Sequence, residues 1–186
     1  PAAEMVTITG RTGAGKSTLF KLILGLYQPR EGQVRIFGCD PSRLAPAVRR
    51  QVFGYVEQQF HAISGTVADQ ISLKDPRVTA GAIEKALHLV GLWDTCCALP
   101  QGLDTSFRPE LFSRGQSQLL SIARAVVMNP QILLFDEITA NLDSLTESQV
   151  LQALQAAAKD RTVLSISHRL YEAQGGRRVV IGETES

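Results

Sequence analysis

Gly10-Arg11-Thr12-Gly13-Ala14-Gly15-Lys16-Ser17 follows the pattern G-x-x-x-x-G-K-[ST]. Each residue type has a task in that pattern. Glycines let the backbone turn its N–H groups around phosphate oxygens, and the helix that follows adds its dipole. Lys16 brings a point charge to β and γ phosphates, and the Ser17 hydroxyl is placed to ligate Mg²⁺. Gly10, Thr12, Gly13, Ala14, Gly15, Lys16, Ser17 and Thr18 are therefore the candidate phosphate cradle. A glycine turn ahead of a helix can arise by chance, but here the context fits as well. Met5–Thr9 is apolar enough for a short buried strand, and Leu19, Leu22, Ile23 and Leu26 fall on one face of a helix over Thr18–Leu26.

A second cluster is Asp136-Glu137, directly after the apolar run Ile132-Leu133-Leu134-Phe135. A continuous apolar run suits a parallel strand buried on both faces, and ligands of open α/β sheets bind beyond the C-terminal ends of the strands. Asp136 is placed to hold Mg²⁺, directly or through water. Glu137 is placed to orient or deprotonate an attacking water. Solvated acids at a strand end are common, and it is the upstream phosphate loop that favours the functional reading.

The third cluster, Ser113-Arg114-Gly115-Gln116, opens a helix expected over Gly115–Met128. Ser113 and Gln116 have the S-x-x-Q spacing of a capping box, which alone would explain both residues. A glycine at a helix start also leaves backbone N–H groups open to an anion. The residues themselves leave both readings open.

These clusters need elements to carry them. Strands are expected at Met5–Thr9, Val34–Phe37, Val52–Val56, Ile132–Phe135 and Val163–Ser167, and a helix at Ser144–Lys159. Strands alternating with helices point to a parallel α/β sheet. From Phe60 to Met128 the pattern is helical, with Ile83, Ala86, Leu87 and Val90 on one face and Gly91 as a C-cap, so the middle reads as an insertion between strands.

Composition sets the outer limits. The 186 residues are 44% apolar and 20% charged, with a net charge of +1. That excludes a disordered tail and a collagen-like repeat, and it provides no strong field toward nucleic acid or an anionic membrane. Cys39, Cys96 and Cys97 form no metal-ligand spacing and no disulfide framework, which fits a reducing compartment. No apolar stretch reaches the ~20 residues of a bilayer span. The expectation is a chain soluble in itself.

Taken in order, Gly10–Ser17, Gln58, Ser113-Arg114-Gly115-Gln116, Asp136-Glu137, Leu142-Asp143 and His168 resemble the nucleotide-binding domain of ABC transporters, across about residues 4–170. The resemblance implies an α/β phosphate-loop NTPase (RecA-like) core with a mostly parallel sheet, built from 1–58 and 130–186. A helical subdomain over 59–129 would be inserted into it. It implies ATP and Mg²⁺ as ligands. Lys16, Gln58, Glu137 and His168 would be catalytic, and Ser17, Gln58 and Asp136 would surround the metal. Ser113, Gly115 and Gln116 would bind the γ-phosphate held by a second nucleotide-binding domain, identical or paralogous. Thr139–Asp143 resembles the loop that crosses that dimer interface. Phe60–Val67, with its Ser-Gly-Thr turn, resembles exporter-type members. A permease domain in the same polypeptide, a place on the cytoplasmic face of the cell membrane, and no nucleic acid partner complete the expectation.

The pattern departs in places. Phe112 stands where the family has Leu. Thr105–Glu110 lacks the Gly-Glu stretch usual in exporters. The adenine-stacking aromatic of an upstream strand has no counterpart, so the expectation is a truncated N-terminal β-subdomain. Rival readings are a non-transport or degenerate ATP-binding module, and a small-molecule kinase, which would leave Ser113–Gln116, Gln58 and His168 unexplained.

Overall fold

A strand buried at every position must be covered on both faces, and Ile132–Asp136 is such a strand. The computed structural model, which describes residues 4–11, 13–138, 143–166 and 175–182, covers it with helices on each side. In chain order the elements are β1 Met5–Thr9, α1 Lys16–Ile23, α2 Pro46–Val52, β2 Phe53–Val56, α3 Val67–Ser72, α4 Ala80–Leu89 and α5 Trp93–Cys97. There follow α6 Arg114–Val126, β3 Ile132–Asp136, α7 Ser144–Ala158, β4 Thr162–Ile166 and β5 Arg177–Val180. The strands form one sheet in the order β2-β3-β4-β1-β5, and every pairing is parallel. All five strands therefore end at the same edge of the sheet. The residues after Thr9, Val56 and Asp136 share that edge.

The pleat sends alternate residues of β3 into different cores. Ile132 and Leu134 pack with Ile8 of β1 and with Phe20 and Ile23 of α1. Leu133 and Phe135 pack on the other face with Leu120 and Ile122 of α6, Val150 and Leu154 of α7, and Ile71 and Leu87 of α3 and α4. Ile83, Ala86, Leu87 and Val90 are buried there together, on one face as the spacing predicts. The helical middle thus shares its core with one face of the sheet.

Several boundaries differ from expectation. Val34–Phe37 forms no strand: only an isolated bridge joins Ile36 to Cys39, and Phe37 turns into the left-handed region at φ 50°. The chain there makes a tight reversal, and Phe37 stays 67% exposed, so no neighbouring strand rewards extension. The first helix ends at Ile23 rather than Leu26. Gly25 takes φ +69° and passes so close to the Pro41 backbone that a Cβ would overlap it. The helix after Ser113 ends at Val126, with Asn129 in the left-handed region at φ 51° ahead of Pro130. Helix α2, with Pro46 at its first turn, and strand β5 are additions to the sequence-derived elements.

Candidate nucleotide site

The loop between β1 and α1 is shaped by its glycines. Gly13 and Gly15 sit at φ +83° and +86°, where an L side chain is strained. Gly10 would, with a Cβ, overlap the carbonyl of Ile181, whose N–H is bonded to Thr9 O at 2.9 Å. Gly15 is the N-cap of α1, and it brings no side chain to the free N–H groups of that helix. No acidic residue stands in the first turn either. By contrast α3, α4, α6 and α7 are each closed by a side chain, from Thr66, Thr79, Ser113 and Asp143. Lys16 Nζ donates to the carbonyls of Gly10 at 2.9 Å and Arg11 at 3.0 Å. Among the described residues its charge meets no carboxylate. An open helix N-terminus, a glycine-shaped loop and a cation without a counter-anion fit a phosphate chain.

Asp136, at the end of β3, is 8% exposed and lies across from that loop. It accepts from Ser17 Oγ at 3.4 Å through Oδ1 and from the Tyr55 hydroxyl at 3.1 Å through Oδ2. Burial, and then the negative charge of Asp136, raise the Tyr55 pKa well above that of a free phenol, so Tyr55 stays a protonated donor. Glu137 is exposed, takes φ 47°, and its N–H bonds Ile166 O at 3.2 Å. Its carboxylate therefore stands just past the sheet edge, next in the chain to Asp136. Among the described residues no group of three His, Cys, Asp or Glu gathers as a metal cluster. Mg²⁺ is commonly held by one or two protein oxygens with substrate phosphates and water supplying the rest. Ser17 Oγ and Asp136 Oδ1, 3.4 Å apart, are two oxygens that would fit that role.

Gln58 lies two residues past the end of β2, beyond the same edge of the sheet. It is exposed and borders a cleft of 460 Å³ with Phe60, Phe107, Arg114, Ser117 and Gln118, against the first turns of α6. Helix α6 holds the chain on both sides of it. Gln118 Nε2 donates to Glu57 O at 3.0 Å, and Arg124 Nη1 to His61 O at 2.8 Å, with the guanidinium over the Phe60 ring at 4.5 Å. Burial lowers the Arg124 pKa to about 10, so the group stays charged at neutral pH. Ser113 and Gln116 make both bonds of a capping box, at 3.2 and 2.9 Å. Gly115 is buried, and a Cβ there would overlap the methyl of Thr146 on α7. The structure thus joins Gly10, Lys16, Ser17 and Asp136 in one place and puts Gln58 beside α6. Thr12, Thr139–Leu142 and His168 lie outside the described residues.

The sequence reasoning missed Tyr55 as a partner of Asp136. The register explains the contact: Tyr55 lies opposite Leu134, and Asp136 is two residues further along the same face. Gln118, Arg124 and the fully buried Gln70, which bonds Ile63 N and O at 2.9 Å each, were also missed as anchors. A polar residue within an apolar helix face was the available signal.

The fold and the loop define a phosphate-loop nucleotide-binding domain of the α/β class. The particular family follows from comparison. The family model described as "ABC transporter" matches residues 1–140, and the chain belongs to that family. It is 38% identical over 185 residues to a multidrug efflux ATP-binding/permease protein of Mycobacterium bovis, covering 98% of this chain and 16% of that protein. It is 36% identical over 180 residues to the alpha-hemolysin translocation ATP-binding protein HlyB of Escherichia coli O157:H7, covering 96% of this chain and 26% of that protein. The structure of a bacterial Atm1-family ABC exporter with ATP bound superposes with a TM-score of 0.81 at 35% identity, covering 97% of this chain and 32% of that one. The chain is thus an ATP-binding domain of exporter type and spans a minor part of the length of these relatives. Among the described residues no helix is long and apolar enough to cross a membrane.

Proposed function

We propose that this domain hydrolyses ATP as the motor of an ABC exporter, working in a pair of such domains on the cytoplasmic face of a membrane beneath a permease domain. The observation that carries the reading is the contact of Ser17 with Asp136, which joins the phosphate loop to the acidic strand end. The chain would divide its labour between a nucleotide-binding core over 1–58 and 130–186 and a helical arm over 59–129.

In this reading the open N–H groups of α1 and the loop from Gly10 to Thr18 take the phosphate chain, and Lys16 leaves its loop carbonyls for the β and γ phosphates. Mg²⁺, when bound, neutralises charge between the phosphates. Ser17 and Asp136 would hold it, with Gln58 brought in from its cleft. Glu137 accepts the proton of the attacking water. The uncapped N–H groups of α1 are held by the fold itself, and Lys16 has only to turn from the Gly10 and Arg11 carbonyls, so the work is positioning and electrostatics. Ser113, Gly115 and Gln116 of one copy would complete the site of the other, and His168 would donate to the γ-phosphate. Lys16, Ser17, Asp136 and Glu137 are all present, and no observation favours a degenerate module.

Glu137→Gln tests the reading. ATP binding is expected to persist while turnover falls about 10²–10⁴-fold, the usual worth of a general base. Phosphate release close to that of the unaltered protein would sink the assignment. The same variant in excess Mg·ATP should trap the closed pair, read by light scattering, and altering Ser113 should abolish the trapped dimer.

A further inference from the structure

We propose that Tyr55 is a positioning residue for Asp136: its hydroxyl holds one carboxylate oxygen so that the other stays turned to Ser17. The proposal rests on the reading of Asp136 as a cation-holding group. A carboxylate at a strand end can rotate about its last bond and offer either oxygen. Here the two oxygens are distinguished. Oδ2 accepts from Tyr55 at 3.1 Å and Oδ1 from Ser17 at 3.4 Å. Tyr55 is itself held in place. Its strand pairs in register with β3, Tyr55 opposite Leu134, and its ring meets the fully buried Phe20 of α1 edge-on at 6.2 Å and 82°.

Phe20 lies on the same short helix as Ser17, three residues on. The Tyr55 ring is thus braced against the helix that carries Ser17, while its hydroxyl is bonded to Asp136. Tyr55 joins the two sides of the site without needing to touch nucleotide or metal. Groups that orient a ligating side chain in this way are typically worth 10–100-fold in metal affinity or activity.

The test is Tyr55→Phe in the natural polypeptide that carries this chain, with Mn²⁺ as the probe. Mn²⁺ binding in the presence of a non-hydrolysable ATP analogue is read by electron paramagnetic resonance. Nucleotide affinity is read separately in EDTA, and the melting temperature alongside. Removing the hydroxyl should weaken Mn²⁺ binding on the order of 10-fold, with nucleotide affinity in EDTA unchanged. Equal Mn²⁺ affinity in the variant and the unaltered protein overturns the proposal. So does a lowered melting temperature with Mn²⁺ affinity intact, which would make the hydrogen bond purely structural. Tyr55→Leu also lacks the hydroxyl and gives the same comparison if the Phe variant does not fold. Asp136→Asn separates the two layers of the argument. If that variant binds Mn²⁺ normally, Asp136 is not a metal-holding group and the reading of the site fails first.

Discussion

Two helices of this domain begin with a glycine-bearing motif, and the glycines are there for opposite reasons. At the start of α1, Gly13 and Gly15 have open space around them, and what they supply is a backbone conformation, φ +83° and +86°. At the start of α6, Gly115 has an ordinary helical backbone and no space: a Cβ would overlap the Thr146 methyl. The caps are opposite too. The α1 terminus has no side-chain cap, whereas Ser113 and Gln116 close the α6 terminus on themselves. One helix start is therefore open to a ligand within this chain. The other is finished as a piece of structure, and any further partner must meet it as a surface. The same residue type marks a binding loop in one place and a close helix–helix contact in the other, and only the three-dimensional neighbours tell them apart.

The largest expected effect comes from filling the closed site. Gly115→Ala forces α6 away from α7 and should cost about 1–3 kcal/mol, the usual range for overpacking. If packing is the reason for the glycine, Thr146→Ser, which removes the overlapping methyl, should restore most of that stability in the double variant. Chemical denaturation of the four proteins in the cycle measures the coupling. Additive effects, with no rescue, would remove one half of the comparison.

Gly15→Ala probes the other half. A Cβ meets nothing within 4 Å, so the cost is conformational, about 1–2 kcal/mol for a left-handed residue. No substitution of a neighbour should recover it, because no neighbour causes it. Rescue by trimming Lys16 or Ser17 would show that crowding had been overlooked.

The same distinction explains how much could be read from the sequence. The carriers of the site were legible because their signals are local. The apolar run at Ile132, the strand before Gly10, the periodic face of α4 and the cap at Ser113 each fall within one element. What was not legible depends on pairing between distant segments. Val34–Phe37 has strand-like residues, yet extension is rewarded only by a paired neighbour, and the chain turns back on itself at Phe37 instead. Arg177–Val180, with two arginines and little burial, looks unlike a strand, but it pairs in register with Val6–Thr9. Tyr55 meets Asp136 only because β2 lies beside β3 in one particular register, which no spacing within either strand encodes. Gln58 carried the motif spacing, while its place against α6 depends on Gln118 and Arg124 reaching back from more than fifty residues away.

The smallest effect is the control that the comparison requires. Gly81 lies in α4 with neither a left-handed backbone nor a neighbour within 4 Å of an added Cβ. Neither reason for glycine applies. In a helix, glycine costs about 0.5–1 kcal/mol relative to alanine because the unfolded chain has more freedom to lose. Gly81→Ala should therefore stabilise the domain by up to that amount, with the denaturant dependence unchanged, whereas Gly115→Ala and Gly15→Ala destabilise it. Three identical chemical changes would then give one gain and two losses of different origin. A loss at Gly81 would mean that the surroundings of a Cβ and the sign of φ are not enough to decide what a glycine is for in this fold.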